Sequence, residues 1–440
     1  MGIHSSQAMQ ANFSYFGISS QVLPAYNNDT LKIGRGNTLC KECLPLQLCT
    51  GSMLEYSKNR KDENEITLYF MSEGNGPCRF GQYSVFLENV IAKNNIQKMG
   101  LFTLSDEDGY TGFGTEFFIR GWVAFVIADV MKNIENAIKV LAYNKTAALQ
   151  VFNNEWDKIR SVLSKKPLSD VYLQLEKTTE AFSKIERRYS IKQAKKISLI
   201  GEIFVRHDEF SRMNLLETLI NKDFVVTIAP IGEYVYYSDY LAKIKNKKTN
   251  IKDILYDKIK TFEQKRIEKR IKSILSKSDF VEYETIDIEK VIEAASPFLP
   301  DELEGEAILT VGSALKEILN RSCGVISLGP FGCMPSRIAE SILNAEMNYE
   351  GKLISENRMD YINNNIDSLP FLAIETDGNL FPPIIQSKIE IFMLNAERLY
   401  FDLKSVTKED YASSFKALIK YIVNFYTEKS PPLSLNYDES

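Results

Sequence analysis

Three cysteines in this 440-residue chain stand where a thiolate could do chemistry. Cys78 lies in LYFMSEGNGPCRFGQY and Cys333 in VISLGPFGCMPSRIA, and each stretch reads as strand, Gly-Pro loop, cysteine, helix. In a parallel sheet such loops fall at the carboxyl ends of strands, where ligands bind, and their glycines let the backbone approach a bulky group. Cys43, in KECLP, has a related setting, with Pro45 suited to the first turn of the helix it opens. The spacing therefore predicts all three thiols at helix N-termini, where unpaired N–H groups and the positive end of the helix dipole stabilise a thiolate. That environment suits an anionic iron-sulfur cluster, and three thiolates on a 4Fe-4S cubane would leave one iron open to water or substrate.

The other three of the six cysteines fit less well. Cys323 precedes its strand while Cys333 follows it, and five strand residues at about 3.3 Å each put them roughly 17 Å apart. Cys49 follows Cys43 on a helix and is expected on a different face. Cys40 shares C-x-x-C spacing with Cys43 and is a further ligand candidate. A closed zinc site wants four Cys or His ligands, and free cysteines are often buried as small hydrophobes, so spacing alone leaves cluster, zinc and burial open.

With two histidines, His4 and His207, the chain is poorly equipped for a Ser-His-Asp triad, an H-E-x-x-H zinc helix or a Cys-His nucleophile. His207 follows the apolar Phe204 and Val205 and reads as a structural or a site residue. A net charge of -5 argues against a general nucleic-acid binder, and the basic run Lys265 to Lys277 reads as a solvated helix face. No apolar stretch approaches the roughly 20 residues needed to span a bilayer, and the N-terminus lacks a signal pattern. A cytoplasmic protein with reduced thiols is expected.

These residues need elements to position them, and the length suggests more than one core. The expected class is α/β: two Rossmann-like parallel-sheet lobes, at 1–145 with Cys43 and Cys78 and at 196–385 with Cys333, joined by a helical linker at 146–195 and followed by C-terminal helices and a tail at 386–440. Expected strands are Ser20 to Leu23, Ile66 to Met71, Leu101 to Leu104, Ile197 to Val205, Phe224 to Ala229, Gly324 to Leu328 and Phe371 to Thr376. A helix is expected from Ala8 to Phe16, nearly continuous helix from 115 to 195 broken near Pro167, and a long helix over about 251 to 277. No strand precedes the first helix, which suggests a segment of a longer ancestral polypeptide.

The strings CKECLPLQLCTGSML, GPCRFGQY, GEIFVRHDEF, LEGEAILTVGSAL, GPFGCMPSRIAESI and IETDGNLFPP, in that order, resemble the family related to the activator of 2-hydroxyacyl-CoA dehydratases. The resemblance covers most of the chain and implies the iron-sulfur, dehydratase-subunit-like part of such proteins, without the CoA activase ATPase part. Cys43 in KEC-x-P, Cys78 in GPCR and Cys333 in FGCMPS match the cysteines expected to bind the cluster. The implied cofactor is 4Fe-4S, or less readily a double-cubane cluster. The implied partners are an ATPase of the acetate-kinase/Hsp70/actin type on another chain or region, a CoA thioester or other small substrate, and a second copy of the chain; nucleic acid and membrane are not among them.

The implied function is low-potential electron transfer in an anaerobic cytoplasm, coupled to that ATPase. Its rivals are a dehydratase-like or small-molecule reductase acting at the open iron, and a non-catalytic docking module. Arg79 could balance the charge of a cluster or form a salt bridge. Glu375 and Asp377 end a strand and could bind substrate or move protons, although Asp377-Gly378 is also an ordinary turn. Gly109, Gly112 and Gly114 could cradle phosphate, but without a G-x-G-x-x-G pattern a flexible loop is the plainer reading.

Overall fold

The computed structural model describes residues 2–39, 41–60, 62, 64–74, 78–104, 113–245, 251–300, 302–356 and 368–405. Cys40, Gly109 and Gly112 lie outside the described residues, as does the tail after Ser430. Among the described residues six short apolar segments form strands: β1 (Thr67–Ser72), β2 (Met99–Leu104), β3 (Lys195–Gly201), β4 (Phe224–Ile228), β5 (Gly324–Pro330) and β6 (Phe371–Thr376). β1 and β2 make a two-stranded parallel sheet, and the others a four-stranded parallel sheet in the order β4-β3-β5-β6. The chain is thus mixed α/β, with a small sheet inside the first expected portion and a larger one inside the second.

The sequence of β5, GVISLGP, is buried along its whole length, the signature of a strand covered on both faces. The chain runs from β3 outward to β4, then returns to lay β5 on the opposite side of β3. This is a topological switch point, beyond whose strand ends open parallel sheets bind ligands. Gly201 ends β3 with φ +103°, a conformation that favours glycine, and the next amide, of Glu202, donates to the Leu328 carbonyl of β5 at 2.9 Å. Glu202 is thereby fixed beside the end of β5, one turn before Cys333.

Most other residues are helical. Helix Gly114–Leu141 is the spine, burying Val123, Ile127, Met131, Ile134 and Ile138 between the N-terminal helix Ile3–Tyr15 and β4. Helix Leu44–Asn59, which Cys43 caps, crosses Asn28–Gly36 in backbone contact. A Cβ at Gly51 would sit 1.9 Å from the Thr30 carbonyl oxygen, and one at Gly34 1.9 Å from that of Gln47. Among the described residues no helix is long and apolar enough to cross a membrane.

Several expectations are corrected. Ser20 to Leu23 is irregular, and the first helix starts at Ile3. The expected strand Ile197 to Val205 stops at Gly201, because Glu202 turns the chain and caps helix Ile203–His207, its carboxylate accepting from the amides of Phe204 (3.1 Å) and Val205 (2.9 Å). The helical stretch breaks at Ala142 to Asn144 as well as near Pro167, since Asn144 caps helix Lys145–Leu163 through the Ala147 amide.

Candidate functional site

Cys43, Cys78 and Cys333 come from three separate segments and line one cavity of about 970 Å³. Each is the residue before a helical turn, with extended backbone angles: φ/ψ of -67°/155°, -74°/139° and -73°/115°. Cys43 precedes helix Leu44–Asn59, Cys78 the short 3-10 turn Arg79–Gln82 that leads into helix Tyr83–Lys93, and Cys333 helix Met334–Glu346. Pro45 and Pro335 occupy the first turns of the first and third, where a missing N–H costs nothing. None of the three sulfurs makes a cap hydrogen bond of ordinary geometry, yet the amides of Leu46, Phe80 and Ser336 each pull the local thiol pKa down.

That pull does not win. Burial pushes Cys78 up to about 12 and Cys333 up to about 11, and the carboxylates of Glu306 and Glu202 add to the rise. Cys43 is also raised, first by burial, against the Tyr83 hydroxyl 2.6 Å from its sulfur and the charge of Arg79. The helix-terminal amides thus favour the thiolates as expected, and burial outweighs them, leaving all three thiols above their ordinary pKa. A bound cation reverses this, because ligation requires the thiolate and releases the proton.

Two acids missing from the sequence reading shape the site. Glu306 opens helix Glu306–Glu317, and its Oε1 accepts the Ile203 amide at 2.9 Å; Glu202 sits on the other side of that amide. Burial and the neighbouring Glu202 push Glu306 to about 8, and burial raises Glu202 too. At neutral pH the pair holds a proton within the cavity wall. The only sequence signal was an isolated acid directly after the apolar strand of LIGE and another inside EGEAIL.

Cys49, expected on another face, lines the same cavity and is hydrogen-bonded by the hydroxyls of Tyr26 and Tyr69. Cys323 is buried away from it, its thiol donating to the Lys196 carbonyl at 3.2 Å. His207 reaches the cavity wall but its Nε2 is tied to the Ala229 carbonyl at 3.0 Å, and burial drives its pKa well below the usual value. Arg79 lines the cavity and donates to the Lys41 carbonyl at 2.5 Å.

Glu375 and Asp377 lie outside the cavity lining. Glu375 pairs with Arg337 at 3.1 Å and accepts the Gly332 amide at 3.3 Å, so it braces the loop that carries Cys333. Asp377 holds its own turn through the Asn379 amide at 3.0 Å and bonds Arg35 through its carbonyl at 2.7 Å. Both acids are engaged in the contacts named, Asp377 in the ordinary turn that its sequence also allowed. Gly114 starts helix Gly114–Leu141 with φ +84° and does not line the cavity.

Comparison of the chain with protein-family models, with curated proteins and with solved structures finds no match. The family resemblance therefore rests on the quoted strings. Among the described residues no three His, Cys, Asp or Glu side chains gather closely enough to hold a single metal ion. The three thiols border a common space without meeting at one point. A cluster takes its thiolates on different iron atoms and so accepts a wider spacing than one ion does. The donor set, three thiols with no free imidazole beside them, fits such a group in kind.

Proposed function

We propose that Cys43, Cys78 and Cys333 hold an iron-sulfur cluster of the 4Fe-4S type and that the chain is a low-potential redox protein served by a separate ATPase component. The observation that carries this reading is the convergence of three helix-capping cysteines, from three strand-end or loop-end segments, on one cavity beyond the β3/β5 switch point. The two sheets, each followed by a cysteine-bearing loop, support the two-lobed Rossmann-like arrangement as part of the same proposal.

When bound, the cluster supplies one-electron transfer at low potential and one iron free for a small ligand. The chain's own residues set its surroundings. The amides of Leu46, Phe80 and Ser336 and the Tyr83 hydroxyl stabilise negative charge on the sulfurs, and Arg79 offsets it at Cys43. Glu202 and Glu306 hold a proton within the same cavity, positioned by the amides of helix Ile203–His207. Because the cavity continues well past the thiols, a second reading has support: the chain acts on a small molecule directly, as a reductase or dehydratase-like enzyme.

Anaerobic purification with iron and sulfide analysis and EPR tests the proposal. Wild type is expected to carry about four irons and four sulfides per chain. Cys78→Ser is expected to lose most of them, and Cys323→Ser to keep them because Cys323 is spent on the Lys196 carbonyl. A wild-type protein that stays colourless and iron-free after reconstitution contradicts it.

A further inference from the structure

The far end of the cavity differs from the thiol end. It is walled by Met9, Phe13, Ile18, Phe70, Phe102 and Phe113. The rings lean on one another: Phe13 and Phe70 have centroids 5.2 Å apart at 79°, Phe70 and Phe102 5.7 Å apart, and Phe102 and Phe113 5.3 Å apart at 82°. These aromatics come from helix Ile3–Tyr15, from both strands of the small sheet and from the start of the helical spine, so they form a built wall around an open space. An apolar ligand entering it would take its own surface and that of the rings out of water.

The charged side chains lining this space are mostly acidic. Among the described lining residues Arg79 is the one Lys or Arg, against carboxyl groups at Glu65, Glu202, Asp208, Glu209 and Glu306. Arg79 lies at the thiol end, where its charge acts on Cys43 and one of its N–H groups meets the Lys41 carbonyl. His207 is buried, and burial holds its pKa well below the usual value against the Ala229 carbonyl that its ring nitrogen meets. Glu209 is balanced by Lys132 at 3.2 Å, which compensates that acid but gives the wall no spare cation. Phosphate groups need Arg, Lys or helix-terminal amides to replace their water; the amides of Leu46, Phe80 and Ser336 and the guanidinium of Arg79 serve the thiol end, and the aromatic end has no lysine or arginine among its described lining residues.

We propose that this cavity takes an uncharged small molecule with an aromatic or alkyl body, lodged against Phe13, Phe70, Phe102 and Phe113, and that it excludes polyanions such as CoA thioesters. Calling the molecule a substrate rests on the cluster reading, but its binding does not. The polar end of such a ligand would face the thiols, Glu306 and Tyr83, all of which border the cavity.

Titration calorimetry on the anaerobically isolated full chain tests this with three probes that share one body: phenylethanol, phenylacetate and phenylacetyl-CoA. Phenylethanol is expected to bind at least about tenfold more tightly than either anion. Phe113→Glu, at a half-exposed position where folding is checked by thermal melting, is expected to weaken phenylethanol by at least about tenfold. Cys323→Ser, at a thiol away from the cavity and bonded to the Lys196 carbonyl, is expected to bind phenylethanol as wild type does. An absence of phenylethanol binding at millimolar concentration, or tighter binding of phenylacetyl-CoA, overturns the inference even if the protein contains iron. Conversely, an iron-free protein that binds phenylethanol in this order sustains the inference and removes only the cluster reading.

Discussion

The thiols are the residues on which the site turns, and their electrostatics can be read directly. A thiolate is the nucleophile toward an alkylating agent, so a thiol raised to about 12 reacts about a thousandfold more slowly near pH 8 than one with a pKa near 9. In the metal-free chain Cys78 and Cys333 should resist iodoacetamide at pH 8 and gain about tenfold in rate per pH unit above it until they ionise. Glu306→Gln should accelerate both at pH 10, where the wild-type carboxyl is charged and repels a thiolate, and have little effect at pH 6, where it is protonated. Mass-spectrometric alkylation rates across pH check this; equal rates for wild type and variant at pH 10 would contradict the assigned coupling. The same sign makes cluster loading easier as pH rises, since ligation expels the thiol protons. The residue pattern was partly legible beforehand. Cys43, Cys78 and Cys333 announced themselves through Gly-Pro loops and a helix-opening proline. Cys49 did not, because counting helical faces from Cys43 fails: Cys43 is an extended N-cap outside the helix, so the α-helical turn angle does not relate the two. Glu202 and Glu306 were invisible because their meeting is made by a crossover between distant segments.

At the scale of elements, each cysteine is aimed by how its helix is seated. The helix after Cys43 lies on Asn28–Gly36 through Gly51 and Gly34, with no room for a side chain at either contact. Gly51→Ala forces these backbones apart and should cost about 1–3 kcal/mol of stability. Denaturant unfolding measures it, and an unchanged midpoint would contradict the close contact. Such contacts are hard to read from sequence because glycine in a helix resembles a weak helix former until its partner is known. The strands were easier. β5 and β6 follow from dense apolar runs, and Phe371 to Thr376 matches β6 end to end. The overextended Ile197 to Val205 shows the limit: Gly201 and Glu202 end the strand, and the apolar Ile203 to Val205 beyond them belong to the following helix.

For the whole molecule, the order β4-β3-β5-β6 places a crevice where β3 and β5 release Glu202 and Cys333, and the small sheet brings Cys78 to it with helix Leu44–Asn59 bringing Cys43. The α/β class and the grouping of two sheets were legible from the alternation of apolar runs and helical spacing. The extent of the helical spine, and the cavity between the two sheets, were not, because they depend on contacts far apart in the chain. The central claim is that this cavity is an iron site. It is tested most directly by growing crystals of the anaerobic protein and recording anomalous diffraction on both sides of the iron absorption edge. The account predicts an iron peak bonded to Cys43, Cys78 and Cys333; a cavity without iron in a reconstituted protein, or iron bound at Cys323 instead, would contradict it.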